Sequence, residues 1–122
     1  NIISTSVKQP IIGLGVSNTV RAAVAAWAKT LSLEIAINGI TINNILPGYT
    51  KTSRLDEIIR HKANKSNIDI NDVIKNLKST VPLGRFAKPD EISKLAIFLA
   101  SKDSEYINGV SIPVDGGRLT SL

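Results

Sequence analysis

The sequence predicts an α/β fold built on a parallel sheet. Short apolar, β-branched segments at 1–6, 40–46 and 110–114 alternate with longer segments of helical periodicity. Proline or glycine punctuates most of the junctions, at Pro10, Gly13, Gly39, Pro47, Gly48, Pro82, Pro89 and Gly109. No internal repeat, low-complexity stretch or linker interrupts the 122 residues, so 1–122 reads as one unit. Strands that alternate with helices imply βαβ units, whose crossovers should be right-handed.

Each element has a local reason. Residues 1–6 read as the end of a strand, and Pro10, Gly13 and Gly15 break the next stretch into a loop. Ser17 and Asn18 are good N-cap residues. Beyond them Val20, Val24, Trp27, Leu31 and Ile35 recur at helical spacing, which predicts a helix over 17–37 ended by Asn38-Gly39. Its many alanines leave a second face that another helix could approach closely. Residues 40–46 predict a strand stopped by Pro47-Gly48. Residues 52–63 and 71–79 predict two helices around a polar break at 64–70, and 82–88 a loop. Pro89 suits the first turn of a helix, with Asp90 and Glu91 at its positive end and Ile92, Leu95, Ala96 and Leu99 as its apolar stripe. A turn at 106–109 leads to a strand over 110–114, closed by Asp115-Gly116-Gly117.

Composition excludes several classes of function. With 43% hydrophobic, 20% charged and 4% aromatic residues, the chain has a globular composition and an aliphatic core. No apolar run approaches the roughly 20 residues that cross a bilayer, and no secretion leader is legible. Cysteine is absent and His61 is the only histidine, so neither a disulfide framework nor a histidine or thiolate metal site is expected. A cytoplasmic location is the expectation. The net charge of +5 raises the question of nucleic acid. The basic residues 51, 54, 60, 62, 65, 75 and 78 are interrupted by acids and apolar residues, with no aromatics placed to stack bases, so nucleic-acid binding is not expected. The chain opens on Asn1 and contains no methionine, as a processed or partial chain would.

Gly13-Leu14-Gly15 before a helix begins like a dinucleotide fingerprint. Its third glycine is missing, and no acid follows at a ribose-binding distance, so a flexible loop is expected there. Other motifs carry further. An alanine-rich helix runs into Lys29-Thr30-Leu31-Ser32-Leu33-Glu34, followed by Asn38-Gly39-Ile40-Thr41-Ile42-Asn43, Pro47-Gly48 with Thr52, Pro82-Leu83-Gly84-Arg85, Pro89-Asp90-Glu91-Ile92, Phe98-Leu99-Ala100-Ser101 and Val114-Asp115-Gly116-Gly117. In this order and spacing the chain resembles the short-chain dehydrogenase/reductase family over nearly its whole length, in particular the 3-oxoacyl-carrier-protein reductase-like branch. The resemblance implies the C-terminal half of a Rossmann-type doubly wound parallel sheet in three αβα layers, with its last three strands. It implies an N-terminal half of the same domain as partner, a homodimer or homotetramer paired through the alanine-rich helix, and a substrate-covering helical insert at 52–80.

The resemblance also implies a chemistry. The family moves a hydride between NAD or NADP and a carbonyl or alcohol. A tyrosine transfers the proton, a lysine one helical turn later lowers its pKa and holds the ribose, and a serine polarises the substrate oxygen. Asn1-Ile2-Ile3-Ser4 is similar to the family's NxSS, which places Ser4 at the serine. Counting back from Lys29 and Glu34 places Ser17 at the tyrosine and Arg21 at the lysine, one helical turn apart. Ser17 could equally be an N-cap, and Arg21 an exposed helix residue. A serine hydroxyl donates a hydrogen bond but does not readily supply a proton, whereas Arg21 keeps the charge and a grip on ribose hydroxyls. Pro47, Gly48, Thr50 and Thr52 stand where the family holds the nicotinamide carboxamide; the threonines could instead cap the next helix. Tyr49 is the nearest substitute phenol by sequence, or a packed loop aromatic. Tyr106 and Trp27 read as structural, and His61 as surface. The expected function is an NAD- or NADP-dependent oxidoreductase of a small carbonyl or alcohol, or else a cofactor-binding pseudoenzyme with a structural or regulatory role.

Overall fold

A computed structural model describes residues 1–121. Helices α1 (Gly15–Glu34), α2 (Ser53–Ser66), α3 (Ile70–Ser79) and α4 (Pro89–Leu99) accompany strands β1 (Asn44–Pro47) and β2 (Ser111–Val114), with short 3-10 turns at Thr5–Val7, Ala36–Asn38 and Lys102–Ser104. β1 and β2 pair in parallel, Asn44 opposite Ser111 and Pro47 opposite Val114. The first predicted strand shrinks to a single parallel bridge between Ile2 and Ile45. It is held by Ile3 N–H on the Ile45 carbonyl at 2.9 Å and Ile45 N–H on the Asn1 carbonyl at 2.8 Å. Three parallel segments therefore lie in the order 1–3, β1, β2, with β1 central, as expected of an α/β sheet. β1 is buried accordingly: Ile45 and Leu46 are among the least exposed residues of the chain.

Several boundaries move, each for a physical reason. α1 begins at Gly15 rather than Ser17, and its N-cap, Leu14, makes no side-chain cap. Asn18 is occupied elsewhere: its Nδ2 donates to the Ile11 carbonyl at 2.9 Å and pins the preceding loop. Ser17 is inside the first turn, so it is not the cap. Gly15, expected in a flexible loop, is the first helical residue. At the other end the chain tightens into the 36–38 turn and leaves through Gly39 at φ 72°, a left-handed conformation that glycine adopts without strain. Residues 40–43, expected in the strand, are instead tied by side chains. Asn108 Oδ1 accepts from Ile42 N–H at 2.9 Å and its Nδ2 donates to the Ser32 carbonyl at 2.8 Å. Asn43 Nδ2 donates to the Ile107 carbonyl at 2.8 Å. α2 runs on to Ser66, and the break shortens to 67–69 because Asn67 accepts a φ of 50°, an αL turn that asparagine tolerates better than most residues.

α1 packs through a seam centred on buried Ala28 and Ser32, with Arg21, Val24, Leu31 and Ile35 half-buried along it. The predicted stripe was therefore half right. Val20 and Trp27 lie to one side of the seam, each 57% exposed, together with Val16 at 83%. Tyr106, read as structural in the turn before β2, is also fully exposed. α2 and α3 form a hairpin with its own small core of Leu55, Ile59, Ala63, Val73, Leu77 and Phe86. No helix among the described residues is long and apolar enough to cross a membrane.

Candidate functional site

Ligands of open parallel sheets bind at the carboxyl ends of the strands, and the predicted site residues lie there. Ser4 follows the 1–3 segment, Gly48–Thr52 follows β1, and Asp115 follows β2.

The first corner is made by Ser4, Ser17 and Arg21. Ser4 is extended and caps the 5–7 turn, its Oγ accepting from Ser6 N–H at 3.1 Å. Arg21 reaches across from α1: Nη1 donates to the Ile3 carbonyl at 2.6 Å and Nε donates to Ser17 Oγ at 3.2 Å. A half-buried guanidinium thus joins the helix turn carrying Ser17 to the strand end carrying Ser4. Both serine oxygens are already acceptors. Each hydroxyl can rotate its own hydrogen toward a third group.

The second corner is the turn after β1. Gly48 N–H donates to the Val114 carbonyl at 3.0 Å. A Cβ on Gly48 would lie 2.7 Å from Asp115 Cα, so only glycine lets the two strand ends come this close. Tyr49 and Lys51 pair with Ala87 through Ala87 N–H to the Tyr49 carbonyl and Lys51 N–H to the Ala87 carbonyl, both 2.9 Å. Thr50 Oγ1 donates to the Gly48 carbonyl at 3.2 Å, and Thr52 is the N-cap of α2, its Oγ1 accepting from Leu55 N–H at 3.4 Å. The capping alternative therefore describes Thr52 here; the residue is exposed, and its hydroxyl also donates to the Thr50 carbonyl at 3.3 Å.

The Tyr49 ring is packed, as the loop-aromatic alternative expects. Its ring meets Phe86 edge-on at 5.9 Å, and the Arg118 guanidinium lies 4.5 Å from its centroid. His61 is exposed on α2. A cavity of about 100 Å³ beside the turn is lined by Tyr49, Leu83, Arg85, Glu91, Asp115 and Gly116 among others. Arg85 grips Glu91 with two nitrogens, at 2.7 and 2.6 Å, while Glu91 also accepts from Lys88 N–H at 2.8 Å. Those hydrogen bonds, from Arg85 first and Lys88 next, hold the Glu91 carboxyl at about 2, and the hydrogen bond and charge of Glu91 raise Arg85 above its ordinary value. By sequence, Glu91 stands at the positive end of α4 and Arg85 only in a motif, with nothing to pair them. The stacking of Arg118 on Tyr49 left no local signal at all. Among the described residues no group of three or more acids and histidines could hold a metal ion.

Residues 1–118 match the family model described as enoyl-(acyl carrier protein) reductase. With the fold and the motif order, that match shows that the chain belongs to the short-chain dehydrogenase/reductase family. A diacetyl reductase [(S)-acetoin forming] of Staphylococcus epidermidis is 36% identical over 105 residues, which cover 85% of this chain and 41% of that protein. The crystal structure of YwfH, an NADPH-dependent reductase involved in bacilysin biosynthesis, superposes with a TM-score of 0.93 at 29% identity, over 100% of this chain and 46% of that one. An NADPH-bound short-chain oxidoreductase of Pseudomonas aeruginosa PAO1, described as containing an atypical catalytic center, superposes with a TM-score of 0.83 at 27% identity, over 99% of this chain and 45% of that one. The chain spans about half the length of the relatives it matches.

Proposed function

We propose that the whole protein is an NAD- or NADP-dependent oxidoreductase of a small carbonyl or alcohol, with Ser4, Ser17 and Arg21 at its reacting centre. One observation carries the reading: Arg21 bridges the Ser17 hydroxyl and the Ile3 carbonyl at the carboxyl end of a parallel strand, beside Ser4. The residues fit the nicotinamide end of such a cofactor. Arg21 is a cation with spare N–H donors for ribose hydroxyls. The Pro47–Gly48 turn, where the Thr50 and Thr52 hydroxyls donate to their own backbone and keep oxygen lone pairs to accept an amide N–H, suits a carboxamide.

A bound nicotinamide supplies the hydride. The chain's own part is to hold the substrate oxygen. With Ser6 N–H on Ser4 and Arg21 Nε on Ser17, both serine hydroxyls are left to donate toward an oxygen that gains negative charge as hydride reaches the carbonyl carbon. Arg21 stabilises that charge through Ser17 without giving up a proton. The proton that completes the alcohol then comes from solvent rather than from a phenol. The α2–α3 hairpin, within 52–80, would cover the substrate.

A second reading has its own support. The phenol of the family's usual relay is absent from this corner, and Tyr49 is engaged with Phe86 and Arg118. The same site would then bind cofactor without turnover, in a structural or regulatory role. The NADPH-bound relative with an atypical center is a precedent for cofactor binding beside altered chemistry. Steady-state turnover of the full-length protein, over a panel of ketones with NADH and NADPH, separates the two. Turnover lost in Ser4→Ala or Arg21→Ala excludes the pseudoenzyme. Tight cofactor binding with a silent panel excludes the oxidoreductase for those substrates.

Partners belong to the same proposal. Val16, Val20 and Trp27 form an exposed apolar line on α1 beside the small residues Ala22, Ala23 and Ala26, suited to a second α1 in a homodimer or homotetramer. The N-terminal half of the domain would pair with the outer edge of Ile2, 61% exposed. It would also fill the groove of about 350 Å³ lined by Ile2, Ile42, Ile45, Ala96 and Leu99 among others. A cysteine-free chain tolerates a reducing cytoplasm, and that compartment is part of this reading.

A further inference from the structure

We propose that Asn38 is a site of spontaneous covalent modification, in which its side-chain amide is lost through a succinimide to give aspartate and isoaspartate. The chain contains two Asn-Gly pairs, at 38–39 and 108–109, and the fold treats them oppositely.

The reaction needs the amide nitrogen of the following residue to reach the asparagine Cγ. That nitrogen forms a C–N bond to Cγ as ammonia leaves. Water then opens the ring at either carbonyl, giving aspartate or isoaspartate; overall, amide and water become acid and ammonia. Glycine favours the attack because no Cβ crowds the nitrogen and its backbone turns freely.

Asn108 is locked against this. Its Oδ1 accepts from Ile42 N–H and its Nδ2 donates to the Ser32 carbonyl. Gly109 N–H donates to the Ile42 carbonyl at 2.9 Å, and a Cβ there would lie 2.6 Å from Ser32 Oγ. Attack at Asn108 requires these tertiary contacts to open together.

Asn38 has none of them. It is exposed, as are Ile37 and Gly39 on either side, and its carboxamide makes no hydrogen bond among the described residues. Two local backbone bonds restrain it: Asn38 N–H on the Ile35 carbonyl at 3.0 Å and, on the attacking nitrogen, Gly39 N–H on the Ala36 carbonyl at 2.9 Å. The second is the last bond of an exposed 3-10 turn, the kind that frays first. The product matters to the fold. A carboxylate would sit at the carbonyl end of the α1 extension, where negative charge is disfavoured, and would lower the net charge from +5 to +4, one acid more than the present 10. Isoaspartate would also add a backbone methylene just before residues 40–43, which lead into β1.

The test ages the folded full-length protein at mildly alkaline pH in oxygen-18 water, followed by tryptic digestion and mass spectrometry. Residues 30–51 and 103–118 fall in separate peptides, each holding one Asn-Gly pair. The 30–51 peptide should take up label at Asn38, with isoaspartate present, at least about tenfold faster than the 103–118 peptide takes it up at Asn108, which fragmentation separates from Asp115-Gly116; that is the ratio expected of fraying against broken tertiary bonds. In denaturant both peptides should label at similar rates. Asn38→Gln should silence the 30–51 peptide. Equal labelling of Asn38 and Asn108 in the folded protein overturns the proposal. So does a folded protein in which neither labels while the denatured one labels both, or label that persists at Asn43 or Asn44 in Asn38→Gln.

Discussion

The two corners of the site are built on opposite terms. In the turn after β1, almost every group is satisfied within the chain: Gly48 is wedged against Asp115, the backbone of 49–51 is paired with Ala87, and Thr50 and Thr52 bond their own turn. In the corner of Ser4, Ser17 and Arg21, hydrogen bonds orient the groups and leave donors unspent. One corner is close packing, where a single atom too many is costly. The other is oriented polarity, where side chains can be exchanged while the backbone stays put. On the proposed assignment, the departures from the family's residues, Ser17 and Arg21, both fall in the second corner. On that reading, the chemistry of the strand ends is replaceable in one corner, whereas the other is constrained by shape.

The harshest test of that difference is Gly48→Val against Ser17→Ala in the full-length protein. The valine must displace the Asp115 backbone, so we expect a loss of about 1–3 kcal/mol or more in denaturant unfolding, with activity falling alongside. Ser17→Ala removes one half-buried hydroxyl whose place at Arg21 Nε water can take, so it should cost about 1 kcal/mol or less while lowering turnover. Comparable destabilisation by the two would erase the distinction.

Next in size is Arg21→Gln. A charged hydrogen bond to the Ile3 carbonyl is worth about 1.5–3 kcal/mol, roughly 10–100-fold in rate or cofactor affinity if it positions the corner. Under the oxidoreductase reading kcat falls. Under the pseudoenzyme reading only the dissociation constant of the cofactor moves. Stopped-flow and equilibrium binding measure the two separately. The paired change Ser17→Tyr with Arg21→Lys sharpens the same question, because gained activity would show that these positions govern proton supply.

How legible each corner was depends on the kind of force that builds it. Pro47-Gly48 and Asp115-Gly116-Gly117 were readable because turns and close approaches demand particular residues at particular spacings. Element order was readable for the same reason. The Ser17 position came from counting along one helix, yet its reading as an N-cap failed. Hydroxyl residues near a helix start do not reveal that Asn18 is spent on Ile11 and that the helix begins two residues earlier. The seam of α1 was misjudged by one side, since Trp27 and Val20 look like core to periodicity alone. Which apolar face is covered depends on neighbours distant in sequence. Arg21 on Ile3, Asn108 on Ser32 and Arg118 on Tyr49 join residues far apart in the chain, and no local pattern announces them.

A smaller effect distinguishes the mechanisms by pH. A phenol brought near neutrality by a lysine leaves a titration in the rate profile. A serine hydroxyl and a guanidinium both keep their protonation state across the working range. If the Ser17–Arg21 pair replaces the phenol relay, kcat/KM should show no enzyme titration between about pH 6 and 9. A clear single-proton step in that range, retained in Ser17→Ala, would point to another acid.

The smallest effect concerns the packed corner's outer brace. Arg85 and Lys88 bind Glu91 on either side of Phe86 and Ala87, and Ala87 closes the 49–51 turn. Glu91 sits at about 2 against an ordinary 4.5. Between those values the unfolded chain binds a proton that the folded chain does not, so stability from this group is complete above about 4.5 and is lost as pH falls through 2. The pair is exposed, with side chains 51% and 33% accessible, so solvent and salt weaken it. Glu91→Gln should therefore lower Tm slightly at neutral pH. The gap from wild type should narrow steadily from near pH 4.5 toward 2 and shrink in high salt. A gap independent of pH would mean that Glu91 braces the turn by shape, like Gly48, and that the packed corner owes nothing to charge.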